Sequence, residues 1–263
     1  MASSSNRTSR SKPRIRPVHT VSRFIAILRL LGAAAEPMTC KAVATALSVL
    51  PGTCLHILRV LVAERLVVVD DESHRYSLGT GMLGLARSVI ERSGFATLAQ
   101  PLLDTLTSQW DITAAGVEIE DSGHMIVLAL SHSRAPFALS VHVGTQFPPL
   151  LSATGQVFAA FGDQTELELL KGFRSLKKRM HVDRSSWDRE IELSRKRGYS
   201  VDREYINGVT ILAVPIFNPA GKLTHALVCG GLSEQFGSKR IAALAKNMQH
   251  EAKRLTARLI SLA

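Results

Sequence analysis

The feature that most constrains this sequence is a change of hydrophobic period within residues 51–79, PGTCLHILRVLVAERLVVVDDESHRYSLG. Apolar residues first recur at helical spacing, at Leu55, Leu58 and Leu61. From Val67 onwards they alternate with polar residues in two short runs separated by a polar turn, which predicts a β-hairpin. A helix and a hairpin this short bury too little surface alone, so preceding segments must complete the core.

Two further helices precede this stretch. Apolar positions between residues 21 and 35 predict a first helix, and Thr39 is placed to cap a second, CKAVATALSV. The pair Pro51–Gly52 forms a turn, and the third helix covers about residues 53–65. Three short helices followed by a hairpin are typical of a winged helix-turn-helix, whose third helix enters the major groove of DNA.

Basic side chains are concentrated at the N-terminus. The first 65 residues hold ten Lys or Arg against two Glu, which is +8 of the chain's net charge of +10. Residues 1–17, MASSSNRTSRSKPRIRP, lack the apolar core of a signal peptide, so we interpret them as a disordered basic arm. Such a charge attracts a polyanion such as nucleic acid. On charge alone, a solubilising tail explains it equally well.

The winged-helix interpretation assigns candidate DNA contacts. Side chains at the start of the third helix reach base edges or phosphates, and a wing arginine suits a phosphate or a narrow minor groove. The candidates are Lys41, Gly52, Thr53, His56, Arg59 and Arg75. Taken singly, Thr53 could instead cap the helix and His56 could simply be solvated, so the DNA-binding hypothesis depends on the whole arrangement.

The remainder of the chain mixes helices with hairpin-connected strands. A linker helix is predicted over residues 80–93, and a long amphipathic helix closes the chain. Predicted strands are TAAGVEIE, HMIVLAL, FALSVHV, YSVDRE, VTILAVPIF and KLTHALVCGGL; predicted helices are ATLAQPLLDTLTSQW and SWDREIELSRKRG. Antiparallel strands with helices at both ends predict an α+β domain.

Catalytic and metal-binding patterns do not emerge from the sequence. His225 and Cys229 share a strand face but lie about 13 Å apart at the usual rise. No phosphate-binding loop, nucleophile elbow or metal-ligand spacing appears. Three cysteines without a spaced pattern favour reduced thiols. We therefore predict a cytoplasmic protein without catalytic activity, cofactor, metal or membrane span.

Residues 22–79 resemble the DNA-binding domain of the IclR family of bacterial transcriptional regulators, element for element. GTQFPPLLSATGQVFAAF and RGYSVDREYINGVTILAVPIFNPAGKLTHALVCGG are similar to two segments of its second domain. The likeness implies a winged helix-turn-helix domain over residues 18–79, joined by the linker helix to a GAF-like effector-binding and oligomerisation domain over residues 94–263. Gln156 departs from the family, which usually has Lys or Arg there.

An effector site is expected where small residues open a helix. Residues 152–155 offer backbone N–H groups suited to a carboxylate, although Ser152 could merely cap that helix. The resemblance adds strand positions and a pocket edge, and apolar residues are candidates for the wall. The predicted set is Phe137, Leu139, Phe147, Ser152, Ala153, Thr154, Gly155, Val201, Asp202, Val209, Ile211, Val228 and Gly230.

Several of these positions are apolar or small where relatives that bind small polar acids carry Asp, Cys or Ser. An apolar wall disfavours a two-carbon acid, so we expect a larger carboxylate with an apolar, preferably aromatic, body. The predicted function is a transcriptional regulator, a homodimer or homotetramer that binds a near-palindromic site in double-stranded DNA under control of this small molecule. A non-sensing architectural DNA-binding protein is the alternative.

Overall fold

The chain divides into two compact units, residues 1–89 and 90–263. The computed structural model describes residues 18–92, 94–133, 141–177 and 183–260. The predicted basic arm of residues 1–17 lies outside the described residues.

The first unit has the predicted three helices and hairpin. Its elements are α1 (His19–Ala33), β1 (Met38–Thr39), α2 (Cys40–Ala46), α3 (Pro51–Ala63), β2 (Val67–Val69) and β3 (Arg75–Leu78). Thr39 caps α2 as predicted, because its hydroxyl accepts a hydrogen bond of 3.2 Å from the Ala42 N–H. The short strand β1 was not predicted; it pairs Met38 with Tyr76 and extends the hairpin to three strands in the order β1-β3-β2.

Helix α3 begins two residues earlier than predicted. Pro51 is its first residue and Leu50 its N-cap, so the prediction of a turn at Pro51–Gly52 was wrong. Proline is favoured at this position because the first N–H of a helix has no partner within the helix. Thr53 is therefore inside the helix and does not cap it.

Helices α2 and α3 meet at a bend of 116°, in the range of a helix-turn-helix. Buried side chains of α3, notably Cys54, Ile57 and Leu58, pack with Ile27 of α1 and Tyr76 of the hairpin. In the part of the chain that the structure describes, no single helix is long and apolar enough to span a membrane, and only this bent pair taken together meets that criterion.

The second unit contains a six-stranded sheet and five flanking helices in its described part. The helix α4 (Gly81–Arg92) crosses from one unit to the other. The elements that follow are α5 (Gly94–Trp110), β4 (Thr113–Ile119), β5 (Met125–Ser131), β6 (Gln146–Phe147), α6 (Ser152–Phe161), α7 (Glu166–Lys177), α8 (Arg184–Arg197), β7 (Ser200–Asp202), β8 (Val209–Phe217), β9 (Leu223–Leu232) and α9 (Ser238–Ile260).

The sheet is antiparallel throughout, in the order β6-β5-β4-β9-β8-β7. Successive residues of a strand point to opposite faces, so the sheet carries two cores. One core packs under α5 and α9 and includes Ala114, Leu103 and Met248. The other packs under α6, α7 and α8 and includes Val117 and Val157. The predicted α+β fold with an antiparallel sheet is confirmed.

One prediction for this unit needs correction, and one helix was not predicted. Residues 141–143 are not in a strand, as FALSVHV was predicted to be, and residues 137–140 lie outside the described part of the chain. Helix α7 was not predicted, although its start carries a reciprocal cap. The Thr165 N–H donates to the Glu168 carboxylate at 2.9 Å, and the Glu168 N–H donates to the Thr165 hydroxyl at 3.4 Å.

Candidate functional site

The candidate DNA-binding surface is the outer face of α3. Gly52, His56 and Arg59 are exposed and recur at intervals of four and three residues, so they lie on one side of the helix. Thr53, beside them, is half-buried. The opposite side of α3 is fully buried in the first unit's core. The helix therefore presents the predicted side chains to solvent while its inner face fixes its position.

The remaining two candidates lie on elements that precede and follow α3 in the chain. Lys41 is exposed at the second position of α2. Arg75 is exposed on β3, and its guanidinium donates a hydrogen bond of 2.9 Å to the Pro37 carbonyl. This bond ties the wing to the loop before β1. No sequence pattern predicts this hydrogen bond, because Arg75 and Pro37 are 38 residues apart.

The turn of the wing is held by its own side chains. The Asp70 carboxylate accepts hydrogen bonds from the Ser73 hydroxyl at 2.6 Å and the Ser73 N–H at 2.7 Å. These hydrogen bonds stabilise the ionised form and lower the pKa of Asp70 below its usual range. His74 completes the turn with a φ of 51°. The hairpin tip is thus ordered locally, without a glycine.

A mostly apolar cavity of about 280 Å³ lies in the second unit, on the face of the sheet that α6 covers. We call it the apolar cavity. Among the described residues its lining comprises Thr113, Ala115, Val117, Met125, Val127, Leu130, Val141, Phe147, Leu151, Ser152, Thr154, Tyr205, Ile206, Ile211, Val228 and Gly230. Strands β4, β5, β8 and β9 supply the floor, and the first turn of α6 supplies part of the wall.

The structure brings six of the predicted effector residues together around this cavity: Phe147, Ser152, Thr154, Ile211, Val228 and Gly230. Ala153 and Val209 are buried in the unit without lining it, and Gly155 lies one residue beyond Thr154 without lining it. Val201 and Asp202 line a different cavity. Phe137 and Leu139 lie outside the described residues.

Helix α6 does not begin with a cap at Ser152. Its N-cap is Leu151, so the interpretation of Ser152 as the cap is wrong. Ser152 is the first helical residue, has a φ of 57°, and its buried hydroxyl has no hydrogen-bond partner among the described residues. The first hydrogen bond that closes a turn of α6 runs from the Gly155 N–H to the Leu151 carbonyl at 2.9 Å. The three preceding N–H groups therefore have no partner within the helix.

Sequence reasoning missed most of the cavity floor. Thr113, Ala115 and Val117 alternate along β4, and Met125 and Val127 alternate along β5. This spacing of two was visible in the sequence and indicates one face of a sheet. By contrast, Tyr205 and Ile206 reach the cavity from an irregular loop, and no periodic signal identifies a residue there.

A second cavity of about 470 Å³ lies where α6, α8 and the edge strand β7 meet, and we call it the polar cavity. Gln156 of α6, Trp187 of α8 and Asp202 of β7 line it. All three are at least nine-tenths buried, with exposed fractions of 9%, 4% and 6%. Each has a buried polar atom without a hydrogen-bond partner in the described structure: Gln156 Oε1, Trp187 Nε1 and Asp202 Oδ2.

The pair His225 and Cys229 does not form a catalytic arrangement. The His225 ring stacks on Phe95 with centroids 4.0 Å apart, and burial lowers its pKa to about 4, which makes it a weak base. Cys229 is buried, and burial raises its pKa, which keeps the thiol protonated. Within the described ranges, no group of three or more His, Cys, Asp or Glu side chains is placed to hold a metal ion.

Comparisons with known proteins match both units. Residues 87–257 match the family model for the C-terminal part of the bacterial transcriptional regulator IclR, and residues 20–71 match the model for the IclR helix-turn-helix domain. The glycerol operon regulatory protein of Streptomyces griseus is 30% identical over 206 residues, which cover 76% of this chain and 80% of that protein.

Solved structures match this chain over most of its length. An IclR-type transcriptional regulator from Alicyclobacillus acidocaldarius superposes with a TM-score of 0.79 at 25% identity, covering 92% of this chain and 99% of that one. An IclR homolog from Microbacterium hydrocarbonoxydans, crystallised with 4-hydroxybenzoate, has a TM-score of 0.73 at 15% identity, covering 91% and 99%. At that identity the second likeness concerns the fold alone.

The family-model match over residues 87–257 covers more than half of the chain, and the helix-turn-helix match accounts for most of the first unit. The Streptomyces griseus relative extends the likeness over both units. The proteins of this family regulate transcription. The chain belongs to the IclR family of bacterial DNA-binding transcriptional regulators.

Proposed function

We propose that the affinity of this regulator for operator DNA changes when an aromatic carboxylate occupies the apolar cavity. The observation that carries the proposal is the composition of the cavity lining. Ile211 and Val228 form part of its floor, Phe147 lies at its side, and polar groups are few. An apolar body gains free energy by leaving water for such a wall, whereas a two-carbon acid would leave its polar atoms unpaired.

The size of the cavity supports the same class of ligand. An apolar protein cavity of roughly 150 Å³ holds a benzene molecule. The cavity of about 280 Å³ thus has room for a benzene ring with one or two small substituents. It is at the lower end of typical ligand pockets, which argues against a bulky polycyclic molecule.

The carboxylate is assigned to the start of α6. The backbone N–H groups of Ser152, Ala153 and Thr154 have no partner within the helix, and the N-terminal end of a helix dipole favours negative charge. The unpartnered Ser152 hydroxyl and the Thr154 side chain border the same cavity. An aromatic ring on the strand floor and a carboxylate at the helix would use both surfaces at once.

A fold neighbour provides one example of this ligand class. The Microbacterium hydrocarbonoxydans homolog was crystallised with 4-hydroxybenzoate, which is an aromatic carboxylate. We extend this ligand class, without the specific compound, to the present chain, on the strength of the cavity lining described above.

On the DNA side, we propose that Gly52, Thr53 and His56 contact base edges, and that Lys41, Arg59 and Arg75 contact phosphates. Two heads in a homodimer, or in a homotetramer of two such dimers, would bind a near-palindromic operator. The helix over residues 80–93 would transmit the effector signal from the domain at 94–263 to the DNA-binding domain at 18–79. By linkage, the effector changes DNA affinity by the factor by which DNA changes effector affinity.

The test is a selection of genomic DNA fragments with the purified full chain at near-physiological salt, followed by footprinting with and without 4-hydroxybenzoate. We expect a discrete protected palindrome whose protection changes when this aromatic acid is added. Glyoxylate serves as the small oxoacid control. A response to glyoxylate but to no aromatic acid would refute the ligand class while leaving the regulator intact.

A variant links the response to the cavity. Ile211→Asn adds a polar group to the apolar floor and should weaken 4-hydroxybenzoate binding at least about 10-fold, as measured by calorimetry. DNA affinity without ligand should stay unchanged. Uniform, salt-labile DNA binding without a preferred site, and without any ligand effect, would favour the architectural alternative.

A further inference from the structure

We infer that the polar cavity is a second ligand site, which takes a neutral polyhydroxylated molecule of the size of a monosaccharide or a cyclitol. It shares only Ser152 and Tyr205 with the apolar cavity among the described lining residues, so most of its wall is independent. The inference does not depend on an aromatic carboxylate being the effector.

The first argument is the concentration of unpartnered polar atoms. The described part of the structure has six buried side-chain N or O atoms without a hydrogen-bond partner. Three of them belong to residues that line the polar cavity and not the apolar one: Gln156, Trp187 and Asp202. Buried polar groups in native proteins are nearly always paired, so a cluster of exceptions around one cavity indicates that something polar fills it.

These residues are held in place by the fold. Ser152 and Gln156 are one turn apart on α6 and therefore lie on the same side of that helix. Asp202 uses its other carboxylate oxygen, Oδ1, to accept hydrogen bonds from the Glu204 N–H at 2.8 Å and the Tyr205 N–H at 3.3 Å. The turn after β7 thus fixes the carboxylate, and Oδ2 is left for another donor.

The second argument concerns donors and acceptors. Asp202 Oδ2 and Gln156 Oε1 accept hydrogen bonds only, whereas Trp187 Nε1 only donates. Hydroxyl groups both donate and accept, so a molecule with several hydroxyls satisfies all three atoms together. A deprotonated carboxylate or phosphate has no hydrogen to give to the two acceptors, and an ammonium group cannot accept from the indole.

The third argument is charge. The lining includes three arginines (Arg189, Arg197, Arg203) and three carboxylates (Glu190, Asp202, Glu204), so the cavity carries no net formal charge. Arg197 is already paired with Glu190, and Arg203 donates to the Phe236 carbonyl at 3.1 Å. The balance favours an uncharged ligand. The volume of about 470 Å³ is within the usual range of small-molecule pockets.

The test uses calorimetry on the full chain, with myo-inositol, D-glucose and D-xylose as neutral probes and D-glucuronate and D-glucosamine as charged counterparts. We expect at least one neutral probe to bind, and more tightly than the charged ones. Trp187 supplies a second readout, because its fluorescence should change on binding in a Trp110→Phe variant, where it is the sole tryptophan.

The decisive variant is Asp202→Asn. It keeps an Oδ1 acceptor for the turn but replaces the free acceptor with a donor, and it should weaken binding of the neutral probe at least about 10-fold. Asp188→Asn is the matched control, since Asp188 lies on α8, is exposed and does not line the cavity. It should leave the affinity unchanged.

If Asp202→Asn does not fold, Trp187→Phe replaces it, because it removes the indole N–H and keeps an aromatic ring. Three results would overturn the inference: binding of none of the probes, which would leave water as the filling of the cavity; tighter binding of a charged counterpart; or full affinity in the folded Asp202→Asn variant.

Discussion

Gly155 lies directly against the backbone of Leu150: a Cβ built on Gly155 would lie 2.0 Å from the Leu150 carbonyl carbon and 2.4 Å from its Cα. Leu150 itself has a φ of 65°, so the chain turns back over the start of α6 in a conformation that few residues adopt easily. Because glycine has no Cβ, the first turn of α6 can pack directly against the backbone of Leu150.

Gly155→Ala should therefore lower the free energy of unfolding by about 3 kcal/mol, because backbone atoms rather than a flexible side chain have to move. The measurement is urea denaturation of the purified variant. Gly84→Ala on α4 is the control, since a Cβ there meets nothing within 4 Å and alanine favours the helix. Equal destabilisation by both substitutions would contradict the packing argument.

Two substitutions on the candidate DNA-binding surface should weaken DNA binding in different ways. His56→Ala should cost about 1–3 kcal/mol at the preferred operator and little elsewhere, because His56 is exposed on the side of α3 that we propose contacts base edges. Lys41→Ala should weaken binding to all sequences and reduce the salt slope by about 1. Fluorescence anisotropy titrations at several salt concentrations distinguish the two.

The matched control is Lys196→Ala, a lysine on α8 that pairs with Glu192 at 2.7 Å in the second unit. It should change neither operator affinity nor salt slope. If Lys41→Ala altered sequence preference instead, Lys41 would be a base contact and its assignment to a phosphate would fail.

His225 should make stability depend on pH. Its pKa falls from 6.5 to about 4 in the folded chain because its ring is removed from water. The unfolded chain takes up a proton near pH 6.5 that the folded chain accepts only near pH 4, so the free energy of unfolding decreases as pH falls through this window. Chemical denaturation at intervals of half a pH unit measures the slope.

In His225→Gln this part of the pH dependence should disappear. His124→Gln, on an exposed turn, should retain it. An unchanged slope in His225→Gln would mean that other groups account for the pH dependence.

The three cysteines should differ in reactivity. Burial, together with the neighbouring Cys40, raises the pKa of Cys54 to about 11, so roughly one molecule in a thousand carries the thiolate at pH 8. Cys229 is buried and its pKa is also raised, whereas Cys40 is partly exposed. A thiol reagent at pH 8 should modify one cysteine quickly, and Cys40→Ser should abolish that fast phase. A second fast thiol would show that the core around Cys54 or Cys229 opens readily.

The helical and strand periods predicted much of the fold. The cap at Thr39, the β2–β3 hairpin and the helix α8 all depend on local chemistry and were predicted correctly. The predicted start of α3 was wrong because Pro51 is compatible with both a turn and the first position of a helix.

The candidate sites were less predictable because they depend on tertiary contacts. Tyr205 reaches the apolar cavity from a loop, and Asp202, which was predicted to be an effector residue, lines the polar cavity instead. The bond from Arg75 to Pro37 joins residues far apart in the chain. None of these relationships has a sequence period, so only the folded arrangement reveals them.

Both edge strands of the six-stranded sheet are short: β6 has two residues and β7 has three. On β7 the outward Val201 N–H already donates to the Glu190 carboxylate at 3.2 Å. Few backbone N–H and C=O groups of β7 are therefore left to form hydrogen bonds with a strand of another sheet. At its β7 edge the second unit therefore offers a strand of another molecule little to pair with.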